Sequence, residues 1–336
     1  MSVTVVPVIL LVGSFVLTCC SRFLALRWQW IDIPNGRSSH LTPTPKGGGV
    51  GFVLIFSAAV GYLLATDYLA VNQSLALSLS LVVAISGLLD DFKSLPVRIR
   101  VSVQLLAAGG VMISMGGLPQ LPVFNMGINF GWVGYIIGTL GLVWLINLFN
   151  FMDGIDGLAA LETGFVCLAA SILVSLQGGY EDAFVLLCML AAISGFLLLN
   201  FPPAKIFMGD VGSQYLGLTL GTLGLITIQD GYMHIWSWAI LLGSFIVDST
   251  LTLYKRLRAG KLWYHAHRTH AYQHAAIKLA SHLKVDLGVT LINLCWLFPV
   301  AWFSLVYTSW AMVLTFIAYV PLIILGNFYR AGQEDI

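Results

Sequence analysis

Long apolar blocks alternate along this chain with short polar stretches. A helix needs about 20 apolar residues to cross a bilayer, and eleven blocks approach that length: residues 3–26, 50–65, 74–89, 101–115, 132–149, 158–176, 183–201, 211–228, 235–253, 287–307 and 310–329. The pattern predicts an all-α polytopic membrane protein with about eleven transmembrane helices, forming a single integral membrane domain over residues 1–336. No internal repeat, low-complexity linker or separate soluble domain interrupts it.

Composition agrees with the pattern. Hydrophobic residues make up 58% of the chain and charged residues 9%, and mean hydropathy is +0.90, which excludes a soluble globular domain. Net charge is +1, and no Lys/Arg cluster interleaves with aromatic residues, so nucleic acid is not an expected partner. Cys19, Cys20, Cys167, Cys188 and Cys295 all fall in apolar blocks without metal-type spacing and read as packing residues. The first block lacks a basic stretch ahead of it and is closed by Arg22 and Arg27, as expected of an uncleaved first span.

Charge gives the spans a direction. If successive blocks alternate, all 16 Lys and Arg residues land on one face, while the opposite loops hold Asp67, Glu181, Asp182 and Asp230. The positive-inside rule then predicts an external N-terminus and a cytoplasmic C-terminus. The cytoplasmic loops fall at about 27–49, 90–100, 150–157, 202–210 and 254–286.

Those five loops hold the candidate chemistry. The first carries Lys46 ahead of Gly47, Gly48 and Gly49, where backbone N–H groups at a helix start can approach an anion; a Pro/Gly-rich turn with a snorkelling lysine is the plainer alternative. The second begins with Asp90 and Asp91, adjacent carboxylates that repel unless a cation or a proton neutralises one, so the pair is a candidate base or metal site. In the third, Asn147, Asn150 and Asp153 recur every three residues on one side of a helix end, and Gly154 and Gly157 break the helix around Asp156. Four oxygen-bearing side chains there exceed what helix capping needs. The fourth places Asp210 just before a helix, as an N-cap or a ligand for a hard cation such as Mg²⁺. The fifth holds seven basic residues and His265, His267, His270, His274 and His282, which suit lipid headgroups or a pyrophosphate better than zinc.

In order along the chain, Pro43-Thr-Pro45-Lys46-Gly-Gly-Gly, Asp90-Asp91-Phe-Lys93, Asn147 to Gly157, and Phe207-Met-Gly209-Asp210-Val-Gly212-Ser213 resemble the motifs of the polyprenyl-phosphate N-acetylhexosamine-1-phosphate transferases, glycosyltransferase family 4. The resemblance covers nearly the whole chain. It implies a bacterial inner-membrane enzyme with its active site on the cytoplasmic face, moving a sugar-1-phosphate from a UDP-N-acetyl-sugar to undecaprenyl phosphate and releasing UMP. It also implies dependence on Mg²⁺, with Mn²⁺ as the substitute, a lipid-bilayer setting and a homodimer as one assembly state. By matching motif positions, Asn150 and Asp210 would hold the metal. Asp90, Asp91 and Asp153 are the catalytic candidates, the first two serving the lipid phosphate as base or orienter. Lys46, Asn147, Asp156, Arg268 and His270 are the substrate-binding candidates, with Asp156 near the uridine.

The chain departs from the family in the fifth loop. Many members carry a His-x-His-His run where this sequence has His270-Ala-Tyr272-Gln273. That looks like the subgroup that initiates O-antigen on the lipid carrier, and it counts against a phospho-N-acetylmuramoyl-pentapeptide-type transferase, which stays as the alternative. A transporter is the alternative of another class, weakened by carboxylates gathered at one face and by the lack of repeat halves. A CDP-alcohol phosphotransferase would need Asp-Gly-x-x-Ala-Arg, whereas Asp153-Gly154 is followed by Ile-Asp-Gly.

Overall fold

The computed structural model describes residues 5–34, 42–261 and 267–334; Arg37, His40 and His265 of the first and fifth loops lie outside them. In order the elements are α1 (Val5–Arg27), β1 (Ile31–Asp32), β2 (Thr44–Pro45), α2 (Gly49–Ala65), α3 (Val71–Ser78), α4 (Ser80–Phe92), α5 (Val97–Ser114), β3 (Leu121–Val123) and β4 (Met126–Ile128). There follow α6 (Trp132–Met152), α7 (Leu158–Leu176), α8 (Tyr180–Asn200), α9 (Asp210–Gln229), α10 (Ile235–Leu241), α11 (Gly243–Arg258), α12 (Ala271–Leu279), α13 (His282–Ile292), α14 (Phe298–Val306) and α15 (Ala311–Phe328).

Every expected apolar block is helical. Among the described residues nine helices are long and apolar enough to cross a membrane, counting α3 with α4 and α13 with α14 as one span each. A tenth span is broken: α10 and α11 meet at 79°. The remaining block is α2, 17 residues long and short for a straight crossing. The fifth loop holds more structure than a loop, because α12 and the first turns of α13 lie within it. Among the described residues there are also two strand pairs, β1 against β2 near the site and β3 against β4 between α5 and α6.

The helix that organises the bundle is α9. It is apolar all round, as a helix buried on every side must be, and nearly all its residues are buried. Helices α4 and α6 pack along it, with α2 beside its first turns. These approaches are close because glycines stand at the crossings, the usual device for helix contact in a bilayer. A Cβ on Gly217 would lie 2.5 Å from the carbonyl oxygen of Leu145 on α6, and one on Gly87 of α4 would lie 2.3 Å from that of Asp210. Helices α1, α7 and α8 form a second layer. Phe52, Phe196 and Tyr215 tie α2, α8 and α9 into one aromatic core, with ring centroids 5.4 and 6.2 Å apart.

The buried carboxylate of the second layer is paired. Glu162 on α7 accepts hydrogen bonds from Ser244 at 2.9 Å and Asn293 at 2.6 Å. Asn293 begins the π-helical turn that joins α13 to α14.

Because Gly217 sets the spacing between α6 and α9, Gly217→Ala is expected to destabilise the fold by about 1–3 kcal/mol, the usual cost of overpacking. Denaturant unfolding in detergent checks this. A variant as stable as the parent would show that the two helices are not in tight contact.

Candidate active site

Helix starts and ends at one end of the bundle converge on an acidic cavity. Helix α6 stops at Met152, and the chain turns through Asp153 to Gly157, whose φ of +80° only glycine adopts readily. That turn carries Asp153 and Asp156 in front of the N-terminus of α9. Asn200, at the end of α8, pins the turn: its Oδ1 accepts from Gly157 N at 3.1 Å and its Nδ2 donates to Ile206 O at 3.0 Å. The β1–β2 pair sets Asp32 opposite Thr44 and so beside Lys46. The resulting cavity of about 340 Å³ is lined by Asp32, Lys46, Asp91, Asp153, Asp156, Asp210, Gln273 and His282, among others.

Most of these carboxylates are held by donors from other segments. Asn150 Nδ2 donates to Asp210 Oδ1 at 2.8 Å and Gln214 Nε2 to Asp210 Oδ2 at 3.4 Å. Asp91 accepts from Val211 N at 3.2 Å, capping α9 from a different helix, and lies 3.9 Å from Lys46 Nζ. Asp156 accepts from Ala204 N at 3.0 Å and stands 3.4 Å from His282 Nδ1. Asp32 and Asp153 differ, with no side-chain hydrogen bond or ion pair among the described residues, and Asp153 is the one that faces the other carboxylates. Burial first, then the charges of Asp210, Asp91 and Asp156, push its carboxyl well above the usual range.

A second cavity, of about 550 Å³, opens on the other side of Gly154 and Gln273, which line both. Its polar wall includes Arg100, Gln104, Asn147, Asn150, Gln214 and His270, and its apolar wall includes Leu140, Val143 and Trp144. An amide chain crosses it: Asn147 Nδ2 donates to Gln104 Oε1 at 2.8 Å, Gln104 Nε2 to Gln214 Oε1 at 3.3 Å, and Gln214 onward to Asp210. Beyond Trp144 lies a third, apolar cavity of about 270 Å³ between α6, α9 and α10.

Lys46, Asp91, Asp153, Asp156 and Asp210 therefore share one cavity, whereas Asn147 and His270 belong to the second and Asn150 touches Asp210 from it. Asp90 lines neither, although its carboxyl group comes within reach of that of Asp210. Its carboxylate ion-pairs with Arg100 at 2.8 Å and accepts from Leu95 N, closing the turn from α4 to α5. Arg268 stands in the segment leading to α12, outside the lining of both cavities. In that segment His267 is held down to about 3 by burial, His270 and Arg256, so it is uncharged near neutrality. Tyr272 donates its hydroxyl to Phe151 O at 2.8 Å. Burial and the charges of Asp248 and Asp153 push that phenol well up, so it remains a donor and tethers the segment to the end of α6.

Sequence reading missed Asp32, Gln104, Asn200 and Gln214, and singled out His282 only as one of the five histidines of the fifth loop. Gln104 and Gln214 had a signal, since an uncharged amide inside an apolar block needs a partner. Asp32 had only its position beside the first span.

Residues 74–228 match the glycosyl transferase family 4 model. The chain is 27% identical over 263 residues to the probable undecaprenyl-phosphate N-acetylglucosaminyl 1-phosphate transferase of Bacillus subtilis, spanning 76% of this chain and 72% of that one. It is 31% identical over 235 residues to the phospho-N-acetylmuramoyl-pentapeptide-transferase of Streptococcus pneumoniae, covering 65% and 70%. It is also 30% identical over 275 residues to the decaprenyl-phosphate N-acetylglucosaminephosphotransferase of Mycolicibacterium smegmatis, covering 71% and 67%. Four motifs in family order, the convergence of their carboxylates at the start of one buried helix, and these matches along the chain place it in glycosyl transferase family 4, among the polyprenyl-phosphate N-acetylhexosamine-1-phosphate transferases.

Proposed function

We propose that this protein transfers an N-acetyl-sugar-1-phosphate from a UDP-sugar to undecaprenyl phosphate at the cytoplasmic face of a bacterial inner membrane, initiating O-antigen or a related envelope glycan. The observation that carries the reading is the meeting of two unlike cavities at Gly154 and Gln273. One is lined by carboxylates, and the other grades from Arg100 and amides to an apolar slot. A nucleotide diphosphate and a phosphorylated lipid are the substrates such a pair accommodates, the apolar slot taking the tail.

In the reaction an oxygen of the lipid phosphate attacks the sugar-bearing phosphorus of the donor. A new P–O bond forms as the bond to UMP breaks, and UMP leaves with the electron pair. Lipid phosphate is already an anion, so alignment and charge neutralisation matter more than a base. Lys46 and Arg100 supply positive charge on either side, and Asp91 is kept in place by Lys46 and Val211 N.

The donor set suits a hard cation. It is all oxygen, and among the described residues Asp153 has no hydrogen bond or ion pair of its own. Among the described residues no three His, Cys, Asp or Glu side chains close on one point, as expected for Mg²⁺ that keeps waters and substrate phosphates in its shell. Asp210 and Asp153, with the amide oxygen of Asn150, would hold it, and bound there it would neutralise the diphosphate. Asp156, flanked by Ala204 and His282, lies toward the outer part of the cavity where the nucleoside would sit.

Purified protein incubated with undecaprenyl phosphate, Mg²⁺ and a panel of UDP-N-acetyl-sugars, UDP-N-acetylmuramoyl-pentapeptide included, is expected to release UMP with at least one donor. Asp210→Asn should lower that rate by roughly 100- to 1,000-fold, the scale of removing a group that stabilises transition-state charge. No release with any donor, beside an active relative, would refute the transferase reading.

Asp153 gives a pH test without turnover. Its folded-state pKa lies above the unfolded value, so its contribution to stability is complete below about pH 3.9 and is lost as pH rises through the folded value. Metal-free protein should therefore lose melting temperature from mildly acidic to alkaline pH, and Asp153→Asn should flatten that decline. An identical decline in the variant would show that Asp153 does not carry the strain.

A further inference from the structure

Asp248 lies in an apolar block of α11, is buried, and is not used by the chemistry above. Four donors meet its carboxylate. Oδ1 accepts from Ala271 N at 2.9 Å, His270 Nδ1 at 3.3 Å and Thr252 Oγ1 at 3.2 Å, and Oδ2 accepts from Tyr272 N at 2.9 Å. The first N–H groups of a helix have no acceptor within it, and His270, the residue ahead of α12, supplies none from its side chain. A carboxylate from another helix caps α12 instead, where the helix dipole also favours negative charge.

Capping alone does not account for this residue. Two backbone N–H groups can be satisfied by a neutral Ser or Asn, without the cost of a carboxylate in an apolar span. The bond to imidazole is the additional one. It takes Nδ1 and turns the rest of the ring from α11 toward the second cavity, which His270 lines. There the ring stacks on His267, centroids 5.1 Å apart, and lies 6.0 Å from Phe151. The same anion holds Tyr272 N, and Tyr272 reaches Phe151 O through its hydroxyl.

Resting on the transferase reading, we propose that Asp248 is a positioning residue: it fixes the imidazole of His270 toward the phosphate of the lipid substrate and holds residues 267–273 over both cavities. Asp248→Asn keeps one accepting oxygen and turns an NH2 group toward the other donors, so it cannot serve both Tyr272 N and the pair formed by Ala271 N and the His270 ring.

The test combines kinetics with amide hydrogen exchange on the full-length protein in nanodiscs. In Asp248→Asn, kcat should fall about 10- to 100-fold, the scale for a residue supporting a functional histidine, with KM for the UDP-sugar nearly unchanged. His270→Ala should show a similar loss, and the double variant should be no worse than His270→Ala alone, the sign of one shared effect. Exchange should accelerate in residues 267–273 while α9 stays protected, and Asp248→Glu should recover part of the rate. Full kcat in Asp248→Asn, losses that multiply in the double variant, or a loss matching the fraction of unfolded protein would overturn the proposal. If the parent protein shows no transfer, the transferase reading fails by itself. Unchanged exchange in residues 267–273 of Asp248→Asn would then overturn the positioning claim independently.

Discussion

The carboxylates of Asp32, Asp91, Asp153, Asp156 and Asp210 line one small cavity at the end of an apolar bundle, and their mutual repulsion is the constraint around which the site is built. Two like charges 4 Å apart interact by about 4 kcal/mol at the effective dielectric near a protein surface, so such a group needs compensation. The fold provides it locally and from a distance in sequence. Val211 N serves Asp91, Ala204 N serves Asp156, and the amides of Asn150 and Gln214 serve Asp210. Among the described residues Asp32 and Asp153 have no such donor, and Asp153, which faces the charges of Asp210, Asp91 and Asp156, is where a cation or a proton has most to gain.

That compensation depends on α9 being surrounded. Asp210 meets Asn150 only because Gly217 lets α6 close on α9, and Asp91 reaches Val211 only because Gly87 lets α4 pass beside Asp210. A single buried helix thus carries fold and site together. Its N-terminal turn presents the carboxylate, and its small residues set the distances to the helices that hold that carboxylate.

The spans were legible in the sequence because hydropathy over about 20 residues is a direct physical requirement of the bilayer. All eleven blocks became helices, including α2, which is too short to cross straight, and the α10–α11 pair, whose 79° bend hydropathy cannot register. The acidic loops were legible because carboxylates are rare in such a chain. What spacing could not show was which side each polar group faces. Asn147 and Asn150 both line the second cavity, but Asn147 joins an amide chain while Asn150 turns to Asp210. Asp90 and Asp91, adjacent in sequence, point to different partners, one to Arg100 and one to Val211 and Lys46. Gln104, Gln214 and Asp248 stayed hidden inside apolar blocks, since their partners lie on helices remote in sequence.

The central claim is that this cavity holds a divalent cation against a diphosphate through Asp210. Mn²⁺ bound in the presence of UDP, observed by electron paramagnetic resonance with phosphorus hyperfine detection, tests it most directly. The account predicts a ³¹P coupling in the parent protein that disappears in Asp210→Asn. An unchanged coupling in that variant, or no Mn²⁺ bound to the parent protein with UDP present, would contradict it.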